Sequence, residues 1–354
     1  MQLRTVPDNP LEALAMAANA VPRPVFDTLL AAGLARTVMV ACKVGLFDAL
    51  SQRRATTAEI ARSCGTAVGA TEHLLVALSS CGYVNSHGVA ANWSLTAMAR
   101  KWLLRDSGRS LHDHVMLMEL VWRWLEHYEH FVRTGEPLDV HRSMSEEQWA
   151  LYQRGMRSLA SLGIDEFLLR TPVPRGATRA LDIGGSHGAY VGALCRKHRR
   201  LRGVVLDLPE ATRHAAPLVA ELGLGERLRQ WPADALQADL GRESWDLVLV
   251  SNLVHHFDAP ANAALMRRIA EALAPGGVVV VQEPMRTRGG GQVGGLGSLY
   301  FAALSASATW QSGDIARWQR DAGLVPDRAR RFATVPGFVQ QSAHKPGGGD
   351  SWPR

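Results

Sequence analysis

Three aspartates stand at the ends of three successive strand-like runs, and their order is the most specific chemical signal in the chain. The run RALDI carries Asp182 into a turn of Gly184, Gly185, Ser186, His187 and Gly188. A backbone that turns this tightly, and lets a ligand approach, needs residues without a bulky Cβ substituent. The dinucleotide pattern GxGxxG is missing, because Ile183 stands where its first glycine would fall. A carboxylate at 182 would also repel a phosphate, whereas a phosphate-free ligand with an ammonium group would favour it. Nineteen residues after Gly188, Asp207 ends the next run, the position from which an acid grips both hydroxyls of a ribose by charge-assisted hydrogen bonds. Asp234, in PADAL after the third run, is placed to accept from an adenine amino group. Each acid alone could merely cap the following helix. In order, they suit amino acid, ribose and adenine.

A fourth run, DLVLVS, leads into SNLVHHFD with His255 and His256. A hydroxyl is a poor nucleophile until its proton leaves, and imidazole titrates near neutrality, so a loop histidine beyond a strand is a natural general base. An isolated loop histidine is ordinarily satisfied by backbone; position beside the three acids is what favours the catalytic reading.

Elements must hold these groups. The chain has 354 residues, 47% hydrophobic and 20% charged, enough for two or three domains and for a buried core. From 175 to 343, strand and helix patterns alternate, which predicts a parallel α/β sheet with ligands beyond the carboxyl ends of its strands. Residues 1–107 read as short helices followed by two strand-like pieces and another helix, the order of a winged helix. Helices are expected over 25–34, 35–50, 57–64 and 69–81. Residues 108–174 carry amphipathic helix patterns that serve as a linker and substrate lid, and 344–354, rich in glycine, is expected to be disordered. Winged helices often bind DNA, yet residues 63–99 contain no lysine or arginine to neutralise phosphates. A ligand-responsive regulator is therefore the rival from another class, and no nucleic-acid partner is expected. Cys42, Cys64, Cys81 and Cys195 lie at least 17 residues apart, so no local zinc chelate or other metal site is expected. No signal peptide or membrane span is expected either, which suggests a cytoplasmic protein.

LDIGGSHG, VVLDLPEATRHA, ADAL, SNLVHHFD and LAPGGVVVVQEP together resemble the S-adenosylmethionine-dependent O-methyltransferases of plant phenolic and bacterial polyketide metabolism. The resemblance implies a Rossmann-like, seven-stranded sheet and an N-terminal winged-helix domain that makes a homodimer. It implies that Asp182, Gly184, Gly185 and Gly188 surround the methionine part of the cofactor, Asp207 and Leu208 the ribose, and Asp234 with Ala235 the adenine, with Ser251 also in contact. His255 matches the general base, and Glu283 an acid that fixes its tautomer. Tyr152, Met156, Asn252, His256 and Trp310 would line the small-molecule acceptor site. The chain departs from the pattern at Trp310, Gln311 and Ser312, where many relatives carry a second glutamate, at Ala160, where a serine near the cofactor carboxylate is usual, and at His187, which has no counterpart role. That missing glutamate keeps carbon or nitrogen methylation, or a repurposed non-methylating reaction, as the close alternative.

Overall fold

The computed structural model describes residues 5–88, 92–286, 291–305, 307, 309–335 and 337–347. Two compact units divide the chain, residues 2–121 and residues 122–354.

In the first unit a continuous helix, Arg23–Lys43, contains a π-helical turn over Phe26–Leu30. The expected break between residues 34 and 35 is absent; it comes at Gly45, whose φ of +77° lets the chain turn before the short helix Leu46–Ala49. Strands β1 (Ala55–Thr56), β2 (Val84–His87) and β3 (Asn92–Leu95) form a three-stranded sheet in the order β1-β3-β2. Thr56 starts the helix Thr57–Cys64 with a reciprocal capping box to Glu59, and Thr96 caps Ala97–Leu103. This winged helix closes over a core of Phe47, Leu50, Ile60, Leu75, Leu78 and Trp93.

The second unit holds the main sheet. Strands β4 (Arg179–Ile183), β5 (Arg202–Asp207), β6 (Leu228–Pro232), β7 (Trp245–Ser251) and β8 (Leu273–Pro284) run parallel. β9 (Val325–Pro326), β10 (Arg330–Arg331) and β11 (Phe338–His344) complete it, with β11 antiparallel to β8. The order is β10-β11-β8-β7-β4-β5-β6, with β9 also paired to β11, so the sheet has eight strands, not seven. The extra one arises because two two-residue pieces, separated by Asp327–Ala329, each pair with β11. Ordered structure also passes the expected boundary at 344: Lys345 donates to Gly277 and Leu273 carbonyls. The rest of that tail, 348–354, lies outside the described residues.

Strands β4, β7 and β8 read as near-continuous apolar runs because both faces are covered. Ile269, Ile315 and Trp318 pack on one face, and Tyr190, Leu194, Phe167 and Phe332 on the other. The order of strand addition reverses at β4, whose neighbours β5 and β7 lie on opposite sides. That switch point opens a crevice at the carboxyl edge, where Asp207 and Ser251 end their strands and Asp182 is the last residue but one of β4.

Candidate active site

A cavity of about 790 Å³ lies over this crevice. The glycine turn forms part of its wall. Gly184 has φ +70°, and a Cβ there would meet Leu253 Cδ1 at 2.8 Å; at Gly185 it would meet the Asp182 carboxyl carbon at 2.4 Å. Gly188, also at positive φ, opens the helix Ala189–Lys197. Ser186 adopts φ +47° without being glycine, a strained conformation that neighbours must over-determine. They do so from two sides. Its N–H donates to Asp207 Oδ2 at 2.9 Å, and its hydroxyl donates to the buried Gln153 side chain.

Asp207 and Asp234 both line the cavity. Asp207 also accepts from the Leu208 N–H; its enclosure pushes the carboxyl up to about 6, against the opposing pull of the two backbone donors. Asp234 is fixed by the Leu236 N–H and the Gln237 amide. Leu208, Ala235, Ser251 and Asn252 complete this part of the wall, Asn252 at φ +52°.

Asp182 departs from its expected position. Its carboxyl lies fully buried behind Gly185 and does not form part of the cavity wall. Burial pushes the carboxyl up to about 8, against the opposing pull of the Val191 backbone N–H, which lies too far out of line for a well-formed hydrogen bond. A buried acid this poorly paired destabilises the fold. Because its folded pKa is raised, the favourable neutral state is lost as pH climbs from the unfolded value, near 4, toward 8. Asp182→Asn should therefore raise the thermal midpoint of the ligand-free protein more at pH 8 than at pH 5. Equal gains at the two pH values in calorimetric melts would contradict this assignment.

The second half of the site is built around Glu283, at the end of β8. One oxygen accepts from the N–H groups of Leu253 and Val254, and the other bonds His255 Nδ1 at 2.6 Å. The His255 proton is thereby held on Nδ1, and Nε2 carries the lone pair. Further contacts that the sequence reading missed hold this loop. Trp310 Nε1 and Asn262 Nδ2 both donate to the Val254 carbonyl. Asp258 caps the helix Ala259–Ala272 beyond it.

His255 is 4% exposed, and the Phe301 ring lies 3.9 Å from it, tilted by 30°. The cavity wall at this end is made by His256, with Tyr152, Met156 and Trp149. Trp310 is a correction. It packs on Trp318 and faces a separate 370 Å³ cavity, because its indole is committed to the Val254 carbonyl. His141, unmarked in the sequence because it sits on the four-residue helix Val140–Ser143, joins the wall instead. Its ring is 4.7 Å from that of His256, which is 4.2 Å from His255. Burial keeps both outer imidazoles neutral, His141 down to about 4 and His256 well below its usual value. This end of the cavity is thus largely aromatic, with neutral imidazole rings, and Asp139 and Arg142 stand at its rim.

Residues 119–306 match the family described as "O-methyltransferase domain", and residues 26–105 the "O-methyltransferase dimerisation domain". The chain is 29% identical over 323 residues to a 3-hydroxy-5-methyl-1-naphthoate 3-O-methyltransferase of Streptomyces sahachiroi, covering 88% of this chain and 92% of that one. It is 27% identical to the mitomycin biosynthesis 6-O-methyltransferase of Streptomyces lavendulae, over 78% and 80% of the two chains. The fold resembles human N-acetylserotonin methyltransferase in complex with SAM, with a TM-score of 0.80, 19% identity, and coverage of 97% and 100%.

Proposed function

Because the chain belongs to the O-methyltransferase family and takes S-adenosylmethionine as methyl donor, we propose that it methylates a hydroxyl of a small aromatic or polyketide-like metabolite, with His255 as general base. The observation that carries this reading is the buried His255–Glu283 pair beside a cavity lined by Asp207 and Asp234.

The donor set fits the cofactor. Asp207 suits the ribose diol, Asp234 and Ala235 the adenine, and Ser251 offers an unpartnered hydroxyl. When bound, S-adenosylmethionine supplies an electrophilic methyl group on a sulfonium centre. Transfer needs the acceptor oxygen, methyl and sulfur in line in a dry site, so the protein's contribution is largely alignment. Tyr152, Met156 and Trp149, the two rings set edge-on to each other, offer an apolar corner that orients an aromatic ring. His255 Nε2 takes the acceptor proton, and Glu283 stabilises the imidazolium that results. Phe301 covers His255, so the acceptor reaches Nε2 by displacing that contact.

The helix Arg23–Lys43 is long and apolar enough to cross a membrane by length and composition, and 22% of its most apolar window is buried. It falls in the matched dimerisation domain, and Leu29, Leu30 and Leu34 are exposed along it. We place the homodimer contact there.

The test is incubation with methyl-labelled cofactor and a panel of phenols, hydroxynaphthoates and amines, with the product bond identified by NMR. An aryl methyl ether is expected. Label on carbon or nitrogen alone would replace this reading with the alternative that the missing second glutamate leaves open.

A further inference from the structure

His187 sits inside the glycine turn, 6% exposed, on the wall of the large cavity. Its Nδ1 accepts the Ala189 N–H at 3.2 Å, so its proton is on Nε2, and imidazole then has one remaining donor. Among the described residues nothing accepts from that nitrogen. Burial holds the ring neutral, with a pKa lowered to about 4, and the nearby Arg157 charge adds to the lowering.

An inventory of donors gives this nitrogen its significance. Asp207 and Asp234, on the cavity wall, can take a diol and an amine, but an amino acid moiety also brings a carboxylate that needs a donor. The side chains nearest it are committed, which leaves the Ser251 hydroxyl, at the end of β7, as the other uncommitted donor on this wall. Ser186 donates to Gln153, the Gln153 amide to the Ala211 carbonyl, and Arg157 pairs with Glu221. Arg142, at the cavity rim, pairs with Asp139 and is 89% exposed. A ligand whose amino acid part lies against the glycine turn brings its carboxylate to the stretch of wall that Gly184, Gly185, Ser186 and His187 form.

We propose that His187 Nε2–H binds the carboxylate of the cofactor's methionine part, as a neutral donor in the Arg157 field. This rests on S-adenosylmethionine occupying the cavity as proposed above.

Titration calorimetry tests this with two ligands, S-adenosylhomocysteine and decarboxylated S-adenosylmethionine, which lacks the carboxylate. His187→Ala should weaken the first about 10- to 100-fold, the range for a hydrogen bond to a charged group, and leave the second within about twofold. His187→Gln, which keeps a side-chain N–H donor, should recover most of the loss. Retained binding of the decarboxylated ligand also reports that the variant is folded. Equal losses for both ligands, or none for either, would overturn the assignment, the first pointing to the Ala189 contact and turn geometry instead. If the wild-type protein bound neither ligand, the cofactor reading itself would fall, and this assignment with it.

Discussion

Replacing His255 with alanine is expected to lower turnover by about 10²- to 10⁴-fold, the usual worth of a positioned general base, while cofactor affinity stays within about twofold of wild type. The expectation follows from geometry. Glu283 spends one oxygen on the Leu253 and Val254 N–H groups and the other on Nδ1, so the imidazole is held in one tautomer with Nε2 free to accept. His255 does not form part of the wall near Asp207 and Asp234, so its loss leaves the cofactor contacts in place. Glu283→Gln is a companion test. The backbone donors would keep the amide oxygen, its NH₂ would face Nδ1 and the proton would move to Nε2, so this isosteric change should cost about as much turnover as removing the ring. Single-turnover kinetics separate this from product release. A His255→Ala enzyme with wild-type turnover would remove the base from the mechanism.

Asp207→Ala should weaken S-adenosylhomocysteine binding by about 1.5 to 3 kcal/mol, the range for hydrogen bonds to a charged group. Removal of the carboxylate also frees the Ser186 N–H that helps hold the strained turn. A pH dependence follows from the raised pKa, about 6. Ribose hydroxyls donate to the ionised carboxylate and favour it, so wild-type affinity should fall as pH drops through about 6 and be flat above. In Asp207→Ala that step should vanish. Calorimetry at pH 5 and pH 7.5 checks both, and an undiminished step in the variant would assign it to another group.

Asp182, Asp207 and Asp234 were legible in the sequence because each stands at or just beyond the end of a strand pattern, and parallel strands bring those ends to the carboxyl edge whatever their partners. The glycine turn was legible for the same local reason: no other residue fits where a Cβ would strike Leu253 or Asp182. Long-range placement was not. Asp182 falls behind Gly185 because the turn folds back over the end of its own strand, which no spacing encodes. Trp310 was expected in the acceptor site, but an indole that donates to the Val254 carbonyl serves the histidine loop from behind. His141 reaches the site from a four-residue helix 38 residues before β4, and nothing in its local sequence marks it, whereas Gln153 lies in the Tyr152–Met156 segment that the family resemblance already points to. The helical boundary near residue 34 was misread because the apolar pattern continues through it, whereas Gly45 supplies the positive φ that ends the helix.

The central claim is that His255 removes the acceptor's proton, and its most direct test is the ratio of wild-type to His255→Ala turnover across phenols of graded acidity. A phenol with pKa near 10, the value for a tyrosine hydroxyl, is almost fully protonated at neutral pH, and for such acceptors the ratio should be about 10² or more. For acceptors already ionised at the assay pH there is no proton to remove, and the ratio should fall toward one. A ratio that stays large and constant from weakly to strongly acidic phenols would contradict the account and leave His255 with a role in positioning alone.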